Sequence, residues 1–144
     1  MERKEFIKSC GLACLGATSM VTWLQSCIPA KNITAIIEDD QLVVPKTDFR
    51  KKDSYYNYII VNHSRLQFPI ALFRFATDAY SALYLQCSHQ GNELNAFGDK
   101  LVCPAHGSEF DNKGNVTHGP ATDPLRSFPI QIENNNILIS LKSA

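Results

Sequence analysis

The chain has 144 residues, of which 44% are hydrophobic and 19% charged, so it can form one packed domain and is not expected to be disordered. Basic and acidic residues number 14 each, which leaves no net charge and makes nucleic acid a poor candidate for a partner. The five cysteines are an odd number, which argues against a framework made only of disulfides.

The N-terminal segment has the pattern of an export signal. Residues 1–8 are short and net basic, and residues 11–24 contain no charged side chain. A helix of that length extends only about 21 Å, less than the ~30 Å hydrocarbon core of a bilayer, which suits a signal peptide better than a spanning helix. We therefore expect a signal peptide over residues 1–26 and a single mature domain over residues 27–144. A buried N-terminal helix is the alternative.

Cys27 is the expected site of lipid attachment. Leu24-Gln25-Ser26-Cys27 resembles a bacterial lipobox, although Gln25 replaces the usual small residue. The start of the chain, Arg3-Lys4, resembles a twin-arginine export motif with Lys in place of the second Arg, and it also suits the general secretion pathway. These features predict a bacterial lipoprotein in the periplasm or on the outer face of the cytoplasmic membrane, held to the membrane by its N-terminal lipid.

The rest of the chain has the pattern of short β-strands joined by turns. The segments rich in β-branched and apolar residues are 33–37, 41–44, 55–61, 70–75, 82–86, 130–132 and 137–141. No segment of the mature chain has a sustained apolar period of 3.6 residues, so the predicted fold is all-β, an antiparallel β-sandwich or a barrel-like domain. Residues 87–122 interrupt this pattern with Gly and Pro, which predicts an inserted, loop-rich lobe.

Two short segments of that lobe each combine a thiol with an imidazole. Cys87 precedes His89 by two positions, and Cys103 precedes His106 by three. Zinc accepts two thiolates and two imidazoles in a tetrahedron, and a two-iron, two-sulfide cluster takes both Cys on one iron and both His on the other. Zinc fingers usually pair Cys with Cys and His with His, so the mixed pairing favours the iron–sulfur cluster. A structural zinc site stays open as the alternative.

The spacing of these residues resembles a known signature. Cys-x-His-x-Gly at 87–91, followed by Cys-Pro-x-His-Gly-Ser at 103–108, is similar to the motif of Rieske iron–sulfur proteins, and the similarity extends to about Leu125. The resemblance implies a β-sandwich of the Rieske type with one [2Fe-2S] cluster per chain. It further implies that Cys87 and Cys103 bind one iron, while His89 and His106 bind the other iron on the solvent side.

The resemblance also implies which residues surround the cluster. Gly91 and Gly107 allow backbone N–H groups to approach it closely. The Ser108 hydroxyl is expected to donate to a bridging sulfide, and its alternative is a turn serine bonded only to backbone. Residues 119–121 resemble the loop whose proline, here Pro120, covers the cluster from a third side.

Three positions depart from the quinol-oxidising members of the family. Asn92 and Ala105 stand where those members have the cysteines of a loop-to-loop disulfide, and Phe110 stands where high-potential members have Tyr. We expect the loops to be held by the cluster, by packing and by backbone hydrogen bonds, so the lobe should become disordered without iron. The midpoint potential should lie inside the family range of about −150 to +300 mV, at neither extreme.

The resemblance implies one-electron transfer to or from redox protein partners, such as a membrane complex, a cytochrome or an oxidase, with no catalytic residue of the chain's own. One alternative is an electron-transfer subunit or ferredoxin component that feeds a separate oxidase or oxygenase. A zinc-stapled β interaction module is another. A complete oxygenase would need a further iron held by two His and a carboxylate, and only His63 and His118 remain for it.

Overall fold

The computed structural model describes residues 30–142, and these are organised almost entirely as short β-strands. The strands are β1 (Lys31–Thr34), β2 (Ile36–Glu38), β3 (Gln41–Pro45), β4 (Arg50–Lys51), β5 (Ser54–Tyr55), β6 (Tyr58–Asn62), β7 (Ile70–Ala76), β8 (Ala79–Tyr84), β9 (Asn95–Phe97), β10 (Lys100–Val102), β11 (Glu109–Asp111), β12 (Val116–His118), β13 (Ser127–Phe128), β14 (Ile130–Glu133) and β15 (Asn136–Ser140). A 3-10 turn, Lys46–Phe49, connects β3 to β4. The predicted all-β class is confirmed. In this part of the chain no helix is long and apolar enough to cross a bilayer.

The strands form three larger sheets and one hairpin. A five-stranded sheet has the order β1-β6-β7-β8-β13, and a four-stranded sheet has the order β14-β15-β3-β2. A second four-stranded sheet, β12-β11-β10-β9, lies within the lobe, and β4 pairs with β5. Residues 87–122 therefore contain a regular sheet of their own, which the Gly and Pro content did not predict.

One pairing departs from the predicted antiparallel arrangement. Strand β1 runs parallel to β6, with Lys31 opposite Ile59. After β1 the chain passes into the second sheet through Ala35, whose N–H donates to Asn62 O at 3.1 Å, and it returns only at β6. That long crossover is what parallel pairing requires, and it explains why the predicted strand 33–37 is divided into β1 and β2.

The first core fills the space between the five-stranded sheet and the β14-β15-β3-β2 sheet. Alternate residues of the facing strands point into it, as the two-residue period of a strand requires. The fully buried aliphatic residues of this core are Leu42, Val44, Ile59, Val61, Ile70, Leu72, Ile137 and Ile139. This is the predicted sandwich, and it contains neither of the lobe's cysteines.

The second core lies on the other face of the five-stranded sheet, against the lobe. Its members from the sheet are Ile60, Ala71, Phe73 and Leu83, and Leu85 follows directly after β8. Its members from the lobe and the following segment are Cys87, Leu94, Leu101, Cys103, Phe110, Ala121 and Leu125. Because β6, β7 and β8 contribute residues to both cores, the five-stranded sheet is the rigid support on which the lobe is built.

Candidate metal centre

The first donor loop, residues 87–92, follows β8 and is closed by two backbone hydrogen bonds. The N–H of Cys87 donates to Asn92 O at 2.8 Å, and the N–H of Gly91 donates back to Cys87 O at 2.9 Å. Gly91 has φ of +76°, a conformation that costs little without a Cβ. The loop thus turns back on itself with Ser88, His89 and Gln90 exposed at its tip.

The second donor loop, residues 103–108, follows β10 and repeats this arrangement. The N–H of Cys103 donates to Ser108 O at 2.8 Å, and the N–H of Gly107 donates to Cys103 O at 3.0 Å. Gly107 has φ of +79°. The offsets from each cysteine, four and five residues, match those of the first loop, so one backbone geometry presents both Cys–His pairs.

The thiols and imidazoles of the two loops differ sharply in exposure. Cys87 is 2% exposed and Cys103 is 1% exposed, and both thiols are free of disulfides. His89 and His106 are exposed, and their rings lie edge to face with centroids 5.1 Å apart. The loops therefore bring two buried sulfur donors and two solvent-facing nitrogen donors together at one end of the lobe.

A third segment, residues 119–124, is tied to both donor loops by serine hydroxyls. Ser88 Oγ donates to Asp123 O at 2.6 Å, and the N–H of Ala121 donates to Ser108 Oγ at 3.0 Å. Ser108 is fully buried, and Ala121 is packed into the second core. These two bonds connect the third segment to both donor loops. Positions 92 and 105 hold Asn and Ala, so no disulfide joins the two loops there.

The tight turn between β11 and β12 is hydrogen-bonded to Leu125, the residue directly after the third segment. Asp111 Oδ1 accepts hydrogen bonds from the N–H groups of Lys113 and Asn115, both at 2.9 Å, and Oδ2 accepts from Asn115 Nδ2 at 3.0 Å. Burial alone would raise the pKa of the Asp111 carboxyl, but these bonds together lower it below its usual value. The turn in turn holds Leu125, whose N–H donates to Gly114 O at 2.9 Å.

The donors are arranged as pairs. Within residues 30–142 there is no group of three or more His, Cys, Asp or Glu side chains placed to hold a single metal ion. A two-iron cluster with two Cys on one iron and two His on the other takes its ligands in pairs. The pair of buried thiols and the pair of adjacent imidazoles match that chemistry.

The structure brings most of the predicted site residues into one region. Cys87, His89, Cys103 and His106 lie on the two donor loops, with Gly91, Gly107 and Ser108 in the same loops. The exposed Pro120 lies in the third segment, after a cis peptide bond. Cys27 and the predicted signal peptide lie outside the described residues.

Two histidines lie outside the donor loops. His63 Nδ1 accepts a hydrogen bond from the N–H of Arg65, and His118 is exposed in β12.

The sequence did not predict the bond from Ser88 to Asp123, because its partners are 35 positions apart and neither residue type signals the contact.

The comparisons with known proteins agree on one family. The model of the Rieske [2Fe-2S] domain matches residues 38–129. The cytochrome b6-f complex iron-sulfur subunit of Synechococcus sp. (strain RCC307) is 39% identical over 56 residues, which are 38% of this chain and 32% of that subunit. The corresponding subunit of Prochlorococcus marinus (strain MIT 9303) gives the same figures. The match thus spans about a third of the length of these curated relatives.

Solved structures share the fold. The cyanobacterial plasma membrane Rieske protein PetC3 from Synechocystis PCC 6803 is 31% identical with a TM-score of 0.51, and the match covers 58% of this chain and 86% of that one. A chain from the complex of reduced oxygenase and oxidized ferredoxin in carbazole 1,9a-dioxygenase is 24% identical with a TM-score of 0.50, over 68% of this chain and 89% of that one. The second likeness concerns the fold alone.

Proposed function

This chain belongs to the Rieske [2Fe-2S] domain family, and on that premise we propose that it carries single electrons between redox protein partners through one [2Fe-2S] cluster. When bound, such a cluster accepts and releases one electron near the protein surface. The observation that carries the proposal is the pairing of two buried thiols with two exposed, adjacent imidazoles.

We assign the ligands to the two donor loops, with Cys87 and Cys103 on one iron and His89 and His106 on the other. Two imidazoles on one metal, with bonds of about 2 Å, have ring centroids within roughly 6.5 Å of each other. The observed 5.1 Å between the rings of His89 and His106 fits that limit. The chemistry of the donor set fits as well, since two thiolates and two neutral imidazoles are the Rieske ligands.

The residues of the lobe divide the work of holding, insulating and exposing the cluster. The second core surrounds both thiols and excludes water from the sulfur side. The two imidazoles face solvent, so a partner that docks on the tips of the donor loops comes within a short distance of the histidine side. Gly91, Gly107, Ser108 and Pro120 are proposed to line the cluster, the first two by close backbone approach and the third by a hydroxyl proton.

We further propose that the protein is exported and held at the outer face of the cytoplasmic membrane by a lipid on Cys27. The signal pattern of residues 1–26 supports this, and so does the likeness to a plasma membrane Rieske protein. Only residues 28–30 separate Cys27 from β1, and four peptide steps reach at most about 14 Å. Such a short tether favours partners within the same membrane assembly, or partners that come to the carrier, over a long swing between distant sites.

The ligand assignment is tested on the full chain purified without oxygen. We expect about two irons and two labile sulfides per chain, a visible spectrum that bleaches on reduction, and an electron paramagnetic resonance signal in the reduced state. His89→Ala and Cys103→Ser should abolish these signals, whereas His118→Ala, which changes an exposed histidine outside the donor loops, should retain them. Stoichiometric zinc in the native protein, or an intact signal in Cys103→Ser, would refute the assignment.

A further inference from the structure

The end of the molecule opposite the donor loops has a distinct surface, which we call the basic pole. It is formed by residues 46–58, by the β7–β8 hairpin tip at residues 74–80, and by the β9–β10 turn at residues 97–99. Strand β8 starts at this end and leads to Cys87 at the other. Eight residue steps at about 3.3 Å put Ala79, at the hairpin tip, up to roughly 25 Å from Cys87.

A cleft rich in cations opens on the basic pole. It has a volume of about 410 Å³, and Lys46, Arg50, Tyr55, Arg74 and Asp78 are among the residues that line it. Lys46 forms an ion pair with Asp78, whereas neither arginine forms a salt bridge within residues 30–142. The guanidinium of Arg74 lies over the Tyr55 ring at 4.3 Å from its centroid, and both residues line the cleft. The cleft therefore offers two uncompensated cations to an anion.

The charge of the basic pole extends beyond this cleft. Lys51 ends β4, and Lys52 is exposed in the turn between β4 and β5. Of the acidic residues of the pole, Asp48 pairs with Lys31 and Asp78 pairs with Lys46. Only Asp53 and Asp99 are left to offset two arginines and two lysines, so the pole is net positive although the whole chain is neutral.

Exposed aromatic side chains are concentrated on the same pole. Tyr55 is 54% exposed, Phe75 43% and Phe97 56%, and among residues 30–142 only one other large hydrophobic residue, Ile36, is as open to solvent. Single exposed apolar residues are ordinary, but aromatic rings grouped with Lys and Arg are typical of surfaces that lie at the level of lipid headgroups.

The described chain begins at this pole. Ala30 lines a second cavity of about 360 Å³ together with Lys51, Tyr55, Tyr58 and Gly98. Tyr55 lines both cavities, so they adjoin. Residues 1–29, which carry the proposed lipid site, therefore join the domain at the basic pole rather than beside the donor loops.

We propose that the basic pole docks on a membrane surface that contains anionic phospholipids, with lipid phosphates at Arg50 and Arg74 and with Tyr55, Phe75 and Phe97 among the headgroups. This inference rests on the proposed membrane attachment and adds an orientation to it. His89 and His106 then point away from the bilayer, and the electron partner meets them in the aqueous phase. An acidic protein would also suit the cations, but the aromatic residues and the position of Ala30 favour lipid.

Partitioning of the full-chain holoprotein into vesicles tests the docking surface. The vesicles are phosphatidylcholine alone, or phosphatidylcholine mixed with an equal part of phosphatidylglycerol. The lipid tether acts on both kinds, so the ratio of the two partition coefficients isolates the charge of the pole. We expect wild type to prefer the anionic vesicles and Arg50→Gln/Arg74→Gln to lose roughly 30-fold of that preference, since each cation near an anionic surface contributes about five-fold.

A matched control removes the same charge from the other end of the molecule. Arg65→Gln/Arg126→Gln should retain most of the anionic preference, because neither arginine belongs to the basic pole. An unchanged ratio in Arg50→Gln/Arg74→Gln, or an equal loss in the control, overturns the proposal. The cluster spectrum recorded on the same samples reports separately on electron-transfer competence. Binding to pure phosphatidylcholine reports separately on the N-terminal attachment.

Hydrogen–deuterium exchange of the wild-type holoprotein on anionic vesicles tests the orientation without a substitution. We expect slower exchange at residues 50–57, 75–79 and 97–99 than in solution, and unchanged exchange at the donor-loop tips, residues 88–90 and 104–106. Protection at the donor-loop tips, or none at the basic pole, overturns the proposed orientation.

Discussion

The hydroxyl groups of Ser88 and Ser108 bind the same third segment but use their protons differently. Ser88 donates its proton to Asp123 O, whereas Ser108 Oγ accepts a hydrogen bond from the N–H of Ala121. A hydroxyl that accepts still has one proton to donate. Of the two serines, only Ser108 can bind the third segment and still donate its proton to a bridging sulfide. Such a bond would stabilise the reduced, more negative cluster.

Replacing Ser108 with Ala should lower the midpoint potential. Loss of a hydrogen bond worth about 1 kcal/mol in the reduced state corresponds to roughly 40 mV for a one-electron couple. A redox titration of the full chain followed by electron paramagnetic resonance measures the change. Ser88→Ala is the matched control, since it removes a bond to the third segment but no donor to the cluster, so its potential should change much less. An equal or higher potential in Ser108→Ala would contradict the role of this hydroxyl.

Phe110, two residues after Ser108, is a position at which a hydrogen-bond donor can be added rather than removed. Its ring is fully buried in the second core together with Cys87 and Cys103. Phe110→Tyr introduces the hydroxyl that high-potential family members direct at a cysteine sulfur, so the midpoint potential should rise by roughly 40 mV. The same redox titration measures it, with Phe110→Leu as a variant that changes packing without adding a donor. A rise in Phe110→Leu as large as that in Phe110→Tyr would show that packing, not the hydroxyl, sets the potential.

At the level of elements, the turn between β11 and β12 links the lobe sheet to the third segment. Gly114 has φ of +88°, and a Cβ built there lies 3.0 Å from Leu83 Cδ2, so the turn fits closely against the five-stranded sheet. Its carbonyl oxygen accepts from Leu125 N–H. The Asp111 carboxylate accepts the hydrogen bonds that hold this turn, so its ionisation state affects the stability of the turn next to the third segment.

Asp111→Asn should destabilise the holoprotein at neutral pH by about 1 kcal/mol, through loss of charge-assisted bonds to the turn N–H groups. Because the folded pKa of Asp111 lies below the unfolded value of about 3.9, its stabilisation is complete above pH ~4 and is lost as pH falls through the folded pKa. Wild type and variant should therefore converge in acid. Urea unfolding at several pH values checks this, with Asp53→Asn on the basic pole as a control. A difference in the free energy of unfolding between wild type and Asp111→Asn that grows in acid would contradict it.

How much of each element the sequence predicted depends on how far apart along the chain the interacting residues lie. The β7–β8 and β14–β15 hairpins join strands that are neighbours in the sequence, and the strand segments 70–75, 82–86, 130–132 and 137–141 were predicted from their residue types and the turns between them. The parallel pairing of β1 with β6 depends on a crossover through another sheet, which no local pattern records. The donor loops were identified because their ligand spacing is local, whereas the Ser88–Asp123 bond joins distant segments and was not.

Within residues 30–142, the five-stranded sheet has a different core on each face. The first core, between the two sheets of the sandwich, contains no residue of the donor loops. The second core contains both donor cysteines and seals the lobe against the same five-stranded sheet. The metal centre is thus structurally coupled to only one of the two cores, so the two halves should respond differently to its loss.

Removal of iron should loosen the lobe and leave the sandwich folded. The donor loops are closed by two backbone bonds each and tied to the third segment by two serines, without a disulfide, so metal binding is expected to supply much of their ordering free energy. After chelation we expect limited proteolysis to cut within residues 87–122, first at the exposed loop tips. The strands of the first core should stay protected, and the holoprotein under the same protease is the reference. A lobe that resists protease equally with and without iron would show that packing in the second core alone is sufficient to order it.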